Sequence, residues 1–426
     1  MAAGALAIQP ALAAAASGAW SLPVPFSSPG RVLPSEPAVA VAPEGRAVVA
    51  WWRTDAALAP LRDVVQIRTR ATPTARFLGP RTVSARRDDT TQPVAAAAAG
   101  RRTLVGWTDD RGAVALTLPR GARRPPVTLL AEGAGARIQD LRVAIAPTGA
   151  AIAVWIRADP APTLRLAHRS AATGTWSAPA DLGPAGAAHP AVAMAGDGSG
   201  LVVWERPGGI DLASVAPEGT AGAPSPVPGA GATARRPAVA MNAAGDAVVA
   251  WWEAGVMAAG RPAGGAFGAP AAISAPSGAP PRLRAPEVAL SRGGKATAAW
   301  LRVDGGRTRV EGSVGTLGGP WQPATVLSLA AARNAGRPSL AGAGNGAAVV
   351  VWSQPVGRSA SAIRARIVGR TVETFGPVEA VSTPAGRGAA PAAGIDGAGR
   401  AVVAWREDPA GGAGRSFRGA IRRAIS

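Results

Sequence analysis

The chain is poor in the side chains that carry most enzyme chemistry. It has no Cys and no Tyr, and its two histidines are His168 and His189. Zinc sites use Cys, His and carboxylate ligands, so two histidines would need carboxylates to complete one. The pairs Asp88-Asp89, Asp109-Asp110 and Glu407-Asp408 suit a hydrolytic pair or Ca²⁺, but solvated loop residues are their commoner meaning. We therefore expect no metal site, no cofactor and no catalytic residues.

A repeated sequence pattern runs through the chain and determines where any functional side chain would lie. It reads Pro-x-Val-Ala, about four turn residues, a Gly, and an apolar run ending in Trp, as in PAVAVAPEGRAVVAW from Pro37 to Trp51. In seven of eight copies the Gly lies six residues before the Trp. A Gly at a fixed place between two apolar runs supplies the positive φ of a tight hairpin turn. The copies end at Trp51, Trp107, Trp155, Trp204, Trp251, Trp300, Trp352 and Trp405.

The segments between these hairpins predict two further strands per copy. An alternating strand follows each Trp, for example TLRLAHR from Thr163, and then an element with an aromatic residue and a Pro, for example WSAPADL from Trp176. The Trp residues that end successive copies are 47 to 56 positions apart, which fits propeller blades better than shorter or helical repeats. The sequence predicts an all-β fold, a single eight-bladed β-propeller over residues 18–426, with four antiparallel strands per blade.

The two ends of the chain complement each other. Residues 20–27, WSLPVPFS, form a fourth-strand element with no hairpin before it, whereas the last copy, from Pro391 through Arg423, has three strands. Pairing the two would complete the last blade and leave no open sheet edge between the termini. We expect the N-terminal strand to close the ring in this way.

Composition limits the location and partners of the protein. Residues 1–17 are rich in Ala and Leu without a basic n-region, so a remnant signal peptide and a disordered tail both remain open. The formal charge is +19, but the basic residues are scattered and almost all Arg, which does not indicate nucleic-acid binding. No apolar run has the length of a membrane span. We expect a secreted or cell-envelope protein, monomeric and without a membrane span.

Two sets of polar residues recur in the repeat register, and we expect them on the same face, around one mouth of the channel. One set lies two residues after each Trp, and the other directly precedes each hairpin. A mixed ring of Arg and carboxylate suits an anionic sugar or a protein surface, although polar strand ends occur in any soluble fold. The predicted ligand-binding face contains Arg53, Asp109, Arg157, Arg206, Glu253, Arg302, Gln354 and Glu407 from the first set, and His189, Arg236 and Arg337 from the second.

The Gly-turn hairpin and the fourth-strand element resemble those of bacterial sialidase-like propellers, the neuraminidase-repeat or Asp-box family. Only fragments of the family's turn motif are present, at Asp197-Gly198 and Asp396-Gly397. The resemblance implies a Tyr nucleophile assisted by Glu, and a chain without Tyr would be a degenerate member lacking the catalytic residues. A looser resemblance to eight-bladed quinoprotein dehydrogenases implies a quinone cofactor, but their Gly-to-Trp spacing is shorter and no vicinal Cys pair exists here.

These observations favour a non-enzymatic, exported scaffold that binds a glycan or a protein through the predicted face. A polysaccharide hydrolase or lyase is the alternative, with a carboxylate pair drawn from Asp109, Glu253 and Glu407. A purely structural envelope repeat is a third reading. The fold itself does not separate the three, because propellers host all of them.

Overall fold

The computed structural model describes most of the chain, in thirteen ranges: 20–27, 36–55, 62–85, 90–100, 102–110, 112–117, 126–133, 135–276, 286–329, 334–357, 359–382, 386–409 and 415–425. The predicted signal peptide or tail, residues 1–17, and the pair Asp88-Asp89 lie outside these residues. The regular elements within them are all β-strands. No helix long and apolar enough to cross a membrane is found in them.

The strands fall into successive groups, which we call units 1 to 8 in chain order. Unit 1 contains β2 (Ala38–Val41), β3 (Ala47–Asp55), β4 (Arg62–Arg70) and β5 (Arg81–Thr82). Unit 2 contains β6 (Thr90–Ala99), β7 (Arg102–Asp109), β8 (Ala113–Thr117) and β9 (Val127–Ala131). Unit 3 contains β10 (Ile138–Ile145), β11 (Ala151–Arg157), β12 (Thr163–Arg169) and β13 (Ala180–Asp181). Unit 4 contains β14 (Ala188–Met194), β15 (Gly200–Arg206), β16 (Gly209–Val215) and β17 (Ser225–Pro226).

The second half of the chain repeats this order. Unit 5 contains β18 (Arg235–Met241), β19 (Ala247–Glu253), β20 (Gly255–Arg261) and β21 (Ala271–Ala272). Unit 6 contains β22 (Glu287–Leu290), β23 (Lys295–Asp304), β24 (Arg307–Thr316) and β25 (Thr325–Val326). Unit 7 contains β26 (Ser339–Gly342), β27 (Ala348–Val356), β28 (Ala360–Val368) and β29 (Glu379–Ala380). Unit 8 contains β30 (Gly386–Ile395), β31 (Ala401–Pro409), β32 (Ser416–Ile421) and the N-terminal β1 (Val24–Pro25).

Units 1 to 6 are each a four-stranded antiparallel sheet, as the repeat predicts. Units 7 and 8 are joined into one eight-stranded sheet by a single parallel bridge, Ser361 to Arg387. The turn glycines behave as predicted, because the Gly six residues before each Trp has φ between 79° and 102° in all seven copies that contain it. This conformation is accessible to Gly at little steric cost.

The predicted pairing of the chain ends is confirmed. β1 pairs antiparallel with β32, Val24 opposite Gly419. Further along, Trp20 donates its indole N–H to Glu379 at 2.7 Å, and Arg422 contacts both oxygens of the same carboxylate at 2.8 and 3.0 Å. The N-terminal segment is therefore fixed to unit 8 by its backbone and to unit 7 by its side chains.

Phe26 connects the same segment to unit 1. Its ring is 1% exposed and lies 5.0 Å from the ring of Phe77, between centroids. The guanidinium of Arg68 lies 5.8 Å from the centroid of Phe26, within the range of a cation–π contact. Phe26 also belongs to a buried cluster that includes Trp51 of unit 1 and Phe417 of unit 8. One short segment thus contacts the first and the last two units of the chain.

Hydrogen bonds also join neighbouring units at the end of the sheets that carries the hairpin turns between first and second strands. Gly397 N donates to Pro43 O at 2.9 Å, which links unit 8 to unit 1. A Cβ on Gly397 would lie 3.0 Å from that oxygen, so the close approach requires Gly. Four further hydrogen bonds of 2.9 to 3.0 Å join consecutive units from 4 to 8. Gly196 N donates to Ala243 O between units 4 and 5, and Asn242 Nδ2 donates to Ser291 O between units 5 and 6. Arg292 N donates to Gly344 O between units 6 and 7, and Asn345 Nδ2 donates to Gly397 O between units 7 and 8.

The core lies between the units. The eight repeated Trp side chains are at most 2% exposed, as predicted from their position. Trp204 of unit 4, for example, packs with Ile152 and Val154 of unit 3. Burying a large apolar side chain contributes about 1.5 to 3 kcal/mol, so each Trp stabilises the contact between two neighbouring sheets.

Replacing Phe26 by Ala tests the attachment of the N-terminal segment. We expect Phe26→Ala to lower the free energy of unfolding by about 3 to 5 kcal/mol, because it leaves a cavity between units 8 and 1. Leu22 is 85% exposed in the same segment, so Leu22→Ala is the matched control. Denaturant unfolding measures both. Equal, small losses would contradict the buried position of Phe26.

Candidate functional site

The two predicted sets of site residues lie at the same end of the sheets, which we call the mouth end. There each first strand begins and each second strand ends. In the antiparallel register Ala188 stands opposite Glu205, Ile138 opposite Arg157, and Gly388 opposite Glu407. A residue that precedes a hairpin is therefore close in register to a residue that follows the Trp of the same unit.

A β-bulge recurs at the residues that precede the hairpins. Asp140, His189, Arg236 and Ala390 have φ between 48° and 51°, and each lies within a register shift between its first and second strands. A non-Gly residue with positive φ is uncommon and costs of order 1 to 3 kcal/mol. Its recurrence in four units shows that the bulge is built into the repeat. A bulge redirects its side chain, and sequence periodicity does not predict this.

Three residues of the first predicted set accept a hydrogen bond from their own Trp. Alternate residues of a strand share one face, so a side chain two positions after the Trp lies beside the indole. Glu253 Oε2 accepts from Trp251 Nε1 at 3.0 Å, and Glu407 Oε2 accepts from Trp405 Nε1 at 2.8 Å. Gln354 Oε1 accepts from Trp352 Nε1 at 2.9 Å. These residues satisfy buried N–H groups.

In units 3, 4 and 6, where the same position is Arg, an acid from elsewhere lies beside it. In unit 6, Glu311 accepts from Trp300 Nε1 at 3.2 Å and lies 3.8 Å from Arg302 Nη1. In unit 3, Glu132 accepts from Trp155 Nε1 at 2.9 Å and lies 3.9 Å from Arg157. Spacing within the repeat does not identify either acid as a partner, because Glu132 belongs to a loop and Glu311 to a third strand.

Unit 4 keeps the charge pair but not the indole contact. Arg206 Nε lies 2.7 Å from Asp211 Oδ1, and Asp211 is 6% exposed. The indole Nε1 of Trp204 is buried without a hydrogen-bond partner in the structure. In unit 4 the acid therefore pairs with the arginine and does not accept a hydrogen bond from the indole.

The two remaining positions of the first set have local contacts. Asp109 is 6% exposed, and its Oδ1 accepts from Ala113 N at 2.9 Å across the turn to the third strand. Arg53 is partly buried, and its Nε lies 3.5 Å from Thr54 O. Asp109, Glu253 and Glu407 belong to units 2, 5 and 8, and each makes its own internal hydrogen bond.

His189 and Arg236 meet at one carboxylate. Glu205 Oε2 lies 3.0 Å from His189 Nδ1 and accepts from Arg236 N at 3.1 Å, so it joins units 4 and 5 at the mouth end. Burial would raise the pKa of Glu205, but the hydrogen bonds from His189 and Arg236 hold it below its usual value. Glu205 directly follows Trp204, and the sequence analysis did not select it.

Arg337 spans units at the same end. Its Nη1 lies 2.9 Å from Glu36 Oε2 before unit 1, and its Nη2 lies 3.4 Å from Glu287 Oε1 of unit 6. Glu287 also accepts from Leu340 N at 2.6 Å. Residues that precede hairpins in distant parts of the chain are thus brought together at the mouth end.

A cavity of about 320 Å³ lies among the first strands. Its wall contains only Ala, Val, Ile and Gly residues and none of the predicted site residues. The wall is formed by residues 40–41, 96–98, 143–145, 192, 341–342 and 394–395. Among the described residues, no group of three or more His, Cys, Asp or Glu is arranged to hold a metal ion.

The chain matches no protein-family model, and no curated protein is similar to it. Solved structures are similar at low identity. An ulvan lyase described as a new polysaccharide lyase family, PL25, bound to -[GlcA(1-4)Rha3S]-, is 10% identical with a TM-score of 0.53, over 95% of this chain and 96% of the lyase. A fungal alcohol oxidase of the AA5 family, in complex with copper, is 13% identical with a TM-score of 0.52, over 96% of this chain and 76% of the oxidase.

A further polysaccharide lyase, Uly1, is 11% identical with a TM-score of 0.48, over 94% of this chain and 92% of the lyase. At these identities the likenesses with TM-scores above 0.5 show the fold alone, an all-β arrangement consistent with a propeller. The specific resemblance to sialidases stays a prediction.

Glu407 tests whether the residues beside the indoles are structural. Burial raises the pKa of Glu407 above its usual 4.5, although the bond from Trp405 and the charge of Arg418 act in the opposite direction. Glu407→Gln keeps an acceptor, as Gln354 does in unit 7, and we expect it to fold with near wild-type stability. Glu407→Ala leaves a buried N–H unpaired and should cost about 1 to 3 kcal/mol.

The pH dependence of this comparison follows from the direction of the shift. A raised pKa means that the folded state binds the proton more tightly, so the wild type gains stability as pH falls through the folded pKa toward 4.5. The Gln variant lacks this gain. Denaturant unfolding of the three proteins as a function of pH measures it, and an identical pH profile for wild type and Gln variant would contradict the assignment.

Proposed function

We propose that the chain is a closed eight-bladed β-propeller that acts as a non-enzymatic, exported scaffold and binds an acidic glycan through its mouth end. The closed ring is supported by two contacts between unit 8 and unit 1, the Gly397 to Pro43 hydrogen bond and the packing of Phe26. The first strands of consecutive units also contact one another, and β30 contacts β2. Export is an expectation from the N-terminal sequence.

One observation carries the binding proposal. Several acids at the mouth end, among them Glu205, Glu253 and Glu407, accept internal hydrogen bonds, whereas some arginines there are exposed and have no such partner. Arg235 begins β18 and Arg307 begins β24, and both are exposed. Within the described part of the chain, neither side chain makes a hydrogen bond or a close ion pair. The charge of Arg235 also acts on Glu205, whose pKa it helps to lower. Exposed guanidinium groups that make no hydrogen bond suit an anionic ligand.

The nature of the ligand is argued from this charge. The net charge of +19 favours attraction of a polyanion. The ulvan lyase of similar fold was solved with an oligosaccharide that contains GlcA, and a uronic acid of this kind would match exposed arginines. A protein partner with an acidic surface would meet the same groups, and the experiment below separates the two.

Reversing the charge of Arg235 and Arg307 tests the binding face. We expect wild type to bind an acidic polysaccharide such as polyglucuronate, and Arg235→Glu/Arg307→Glu to weaken binding about tenfold or more, because two attractive charges become repulsive. Arg292 and Arg423 are exposed at the opposite, hairpin-turn end. Arg292→Glu/Arg423→Glu therefore makes the same change in net charge as a control.

Isothermal titration or immobilised-glycan binding at two salt concentrations measures these affinities. Equal weakening by both double variants would indicate attraction by net charge alone and would contradict a specific face. Binding of an acidic protein but of no polysaccharide tested would replace the glycan with a protein partner.

One observation favours the enzyme alternative. His189 presents its Nδ1 to Glu205 at 3.0 Å and is partly exposed, so Nε2 is available at the mouth end. An imidazole oriented by a carboxylate is a common general base. By contrast, the pair first suggested, drawn from Asp109, Glu253 and Glu407, consists of acids in three separate sheets, each with an internal hydrogen bond.

Incubation of the captured polysaccharide with wild type and His189→Gln distinguishes the alternatives. The scaffold proposal expects no new reducing ends and no unsaturated product from either protein. Turnover by wild type that His189→Gln abolishes, without loss of folding or binding, would establish the enzyme and overturn the scaffold.

A further inference from the structure

Four units carry an Arg two residues after their Trp, and in all but one of them a carboxylate lies beside this Arg. These are units 1, 3, 4 and 6. In unit 3 the acid is Glu132, in unit 4 Asp211, and in unit 6 Glu311. In unit 1 no described acid forms an ion pair with Arg53. Among the described side chains, this partly buried guanidinium therefore has no counterpart to the acid that the equivalent groups have in units 3, 4 and 6.

The residue in the acid's place is Gln66. In units 4 and 6 the acid stands directly opposite the Trp on the third strand, Trp204 opposite Asp211 and Trp300 opposite Glu311. In unit 1 the same register places Gln66 opposite Trp51. The third strand of unit 1 therefore supplies a neutral amide where two other units supply a carboxylate.

The donors around this position are unsatisfied. The indole of Trp51 is fully buried, and its Nε1 has no hydrogen-bond partner. Arg68 lies two residues after Gln66 on the same face of β4, and its buried Nε also has none. Burial lowers the pKa of Arg68. Leaving a buried donor unpaired costs about 1 to 3 kcal/mol, so an acceptor at this position would be stabilised by several groups at once.

Gln66 has to turn over its amide before it can donate to an anion. Its Nε2 now lies 3.3 Å from Thr82 Oγ1, and its Oε1 is buried without a partner. The two ends of an amide have nearly the same shape. A rotation by 180° exchanges the two atoms, so that Oε1 can accept from the Thr82 hydroxyl and Nε2 takes the buried position that Oε1 now occupies, which adds a donor to the site.

We propose that unit 1 binds a carboxylate ion between Trp51, Arg53 and Gln66, in the place that a protein carboxylate fills in units 3 and 6. We call this position the unit 1 niche. The indole N–H, the Gln66 amide N–H and the Arg53 guanidinium are its donors. Arg53 stands near the end of β3 and is partly exposed, so the ion enters from the mouth end. The carboxylate belongs either to a small free acid or to a uronate of a glycan.

This niche does not depend on the function proposed above, because formate alone tests it. We expect ¹³C-formate to bind wild type in an NMR titration and to raise the thermal unfolding midpoint. Gln66→Glu places the missing carboxylate on the chain, and we expect it to weaken formate binding about tenfold or more by occupying the donors. Arg53→Gln is a second variant, expected to weaken binding in the same direction without adding a charge.

The reciprocal variant uses unit 6. Glu311→Gln recreates there the arrangement of unit 1, with Trp300 and Arg302 facing a neutral amide, so we expect it to gain a second formate site. Circular dichroism verifies that each variant is folded. A glucuronate titration separates the two sources: binding lost in Gln66→Glu identifies a niche open to a uronate, whereas binding of formate alone identifies a niche for small acids.

Absence of formate binding to wild type would overturn the proposal and leave a water molecule to bridge Trp51 and Gln66. Unchanged binding in Gln66→Glu and in Arg53→Gln would also overturn it, because the formate would then lie elsewhere. If wild type binds formate and both variants weaken this binding, the unit 1 niche is supported even when no polysaccharide binds. Failure of the scaffold proposal and failure of the niche are therefore distinguishable.

Discussion

The burial of a repeated indole between neighbouring sheets is the constraint on which the rest of this structure depends. Each Trp supplies a large apolar surface that holds two sheets together, but its N–H group must be buried with it. An unpaired donor inside a protein is costly. Five of the repeated Trp residues have such an acceptor among the described residues, whereas the N–H groups of Trp51 and Trp204 are buried without one. Where the acceptor is present, it accounts for the polar residues around the second strand.

The acceptor is supplied in several interchangeable ways. Units 5, 7 and 8 place it two residues after the Trp, on the same strand face. Unit 6 places it across the sheet and unit 3 in a preceding loop, and both then have Arg at the first position. In units 3, 4 and 6 an acid lies beside the arginine, so the charges vary from unit to unit while these three units keep a local balance. A set of residues that resembles a mixed ring of ligands is thus, to a large extent, a set of partners for buried indoles.

The sequence predicted the parts of this fold that depend on periodic burial and on turn geometry. Gly45 and its equivalents have the positive φ expected of them, the Trp residues are buried, and residues 20–27 pair with the last strand. The site was less accessible to such reasoning. The bond from Trp300 to Glu311 depends on cross-strand register, and the contact of Arg337 with Glu36 joins positions 301 residues apart. Spacing within one repeat contains no information on either.

The way the N-terminal segment is attached makes unit 8 easier to open than the other units. Every other fourth strand is joined to its own unit by the chain, whereas the segment that contains β1 is held to unit 8 without a covalent connection. Its contacts are two paired positions, a bridge from Trp20 to Arg422, hydrogen bonds of Ser21, Phe26 and Ser27 with β32, a carboxylate shared with Arg422, and one buried ring. Opening this seam disturbs only these contacts. Local opening in proteins begins where such contacts are fewest. Amide hydrogens of β1 and β32 should therefore exchange with solvent well before those of β11 or β15, and a protease would first gain access to the chain at this seam.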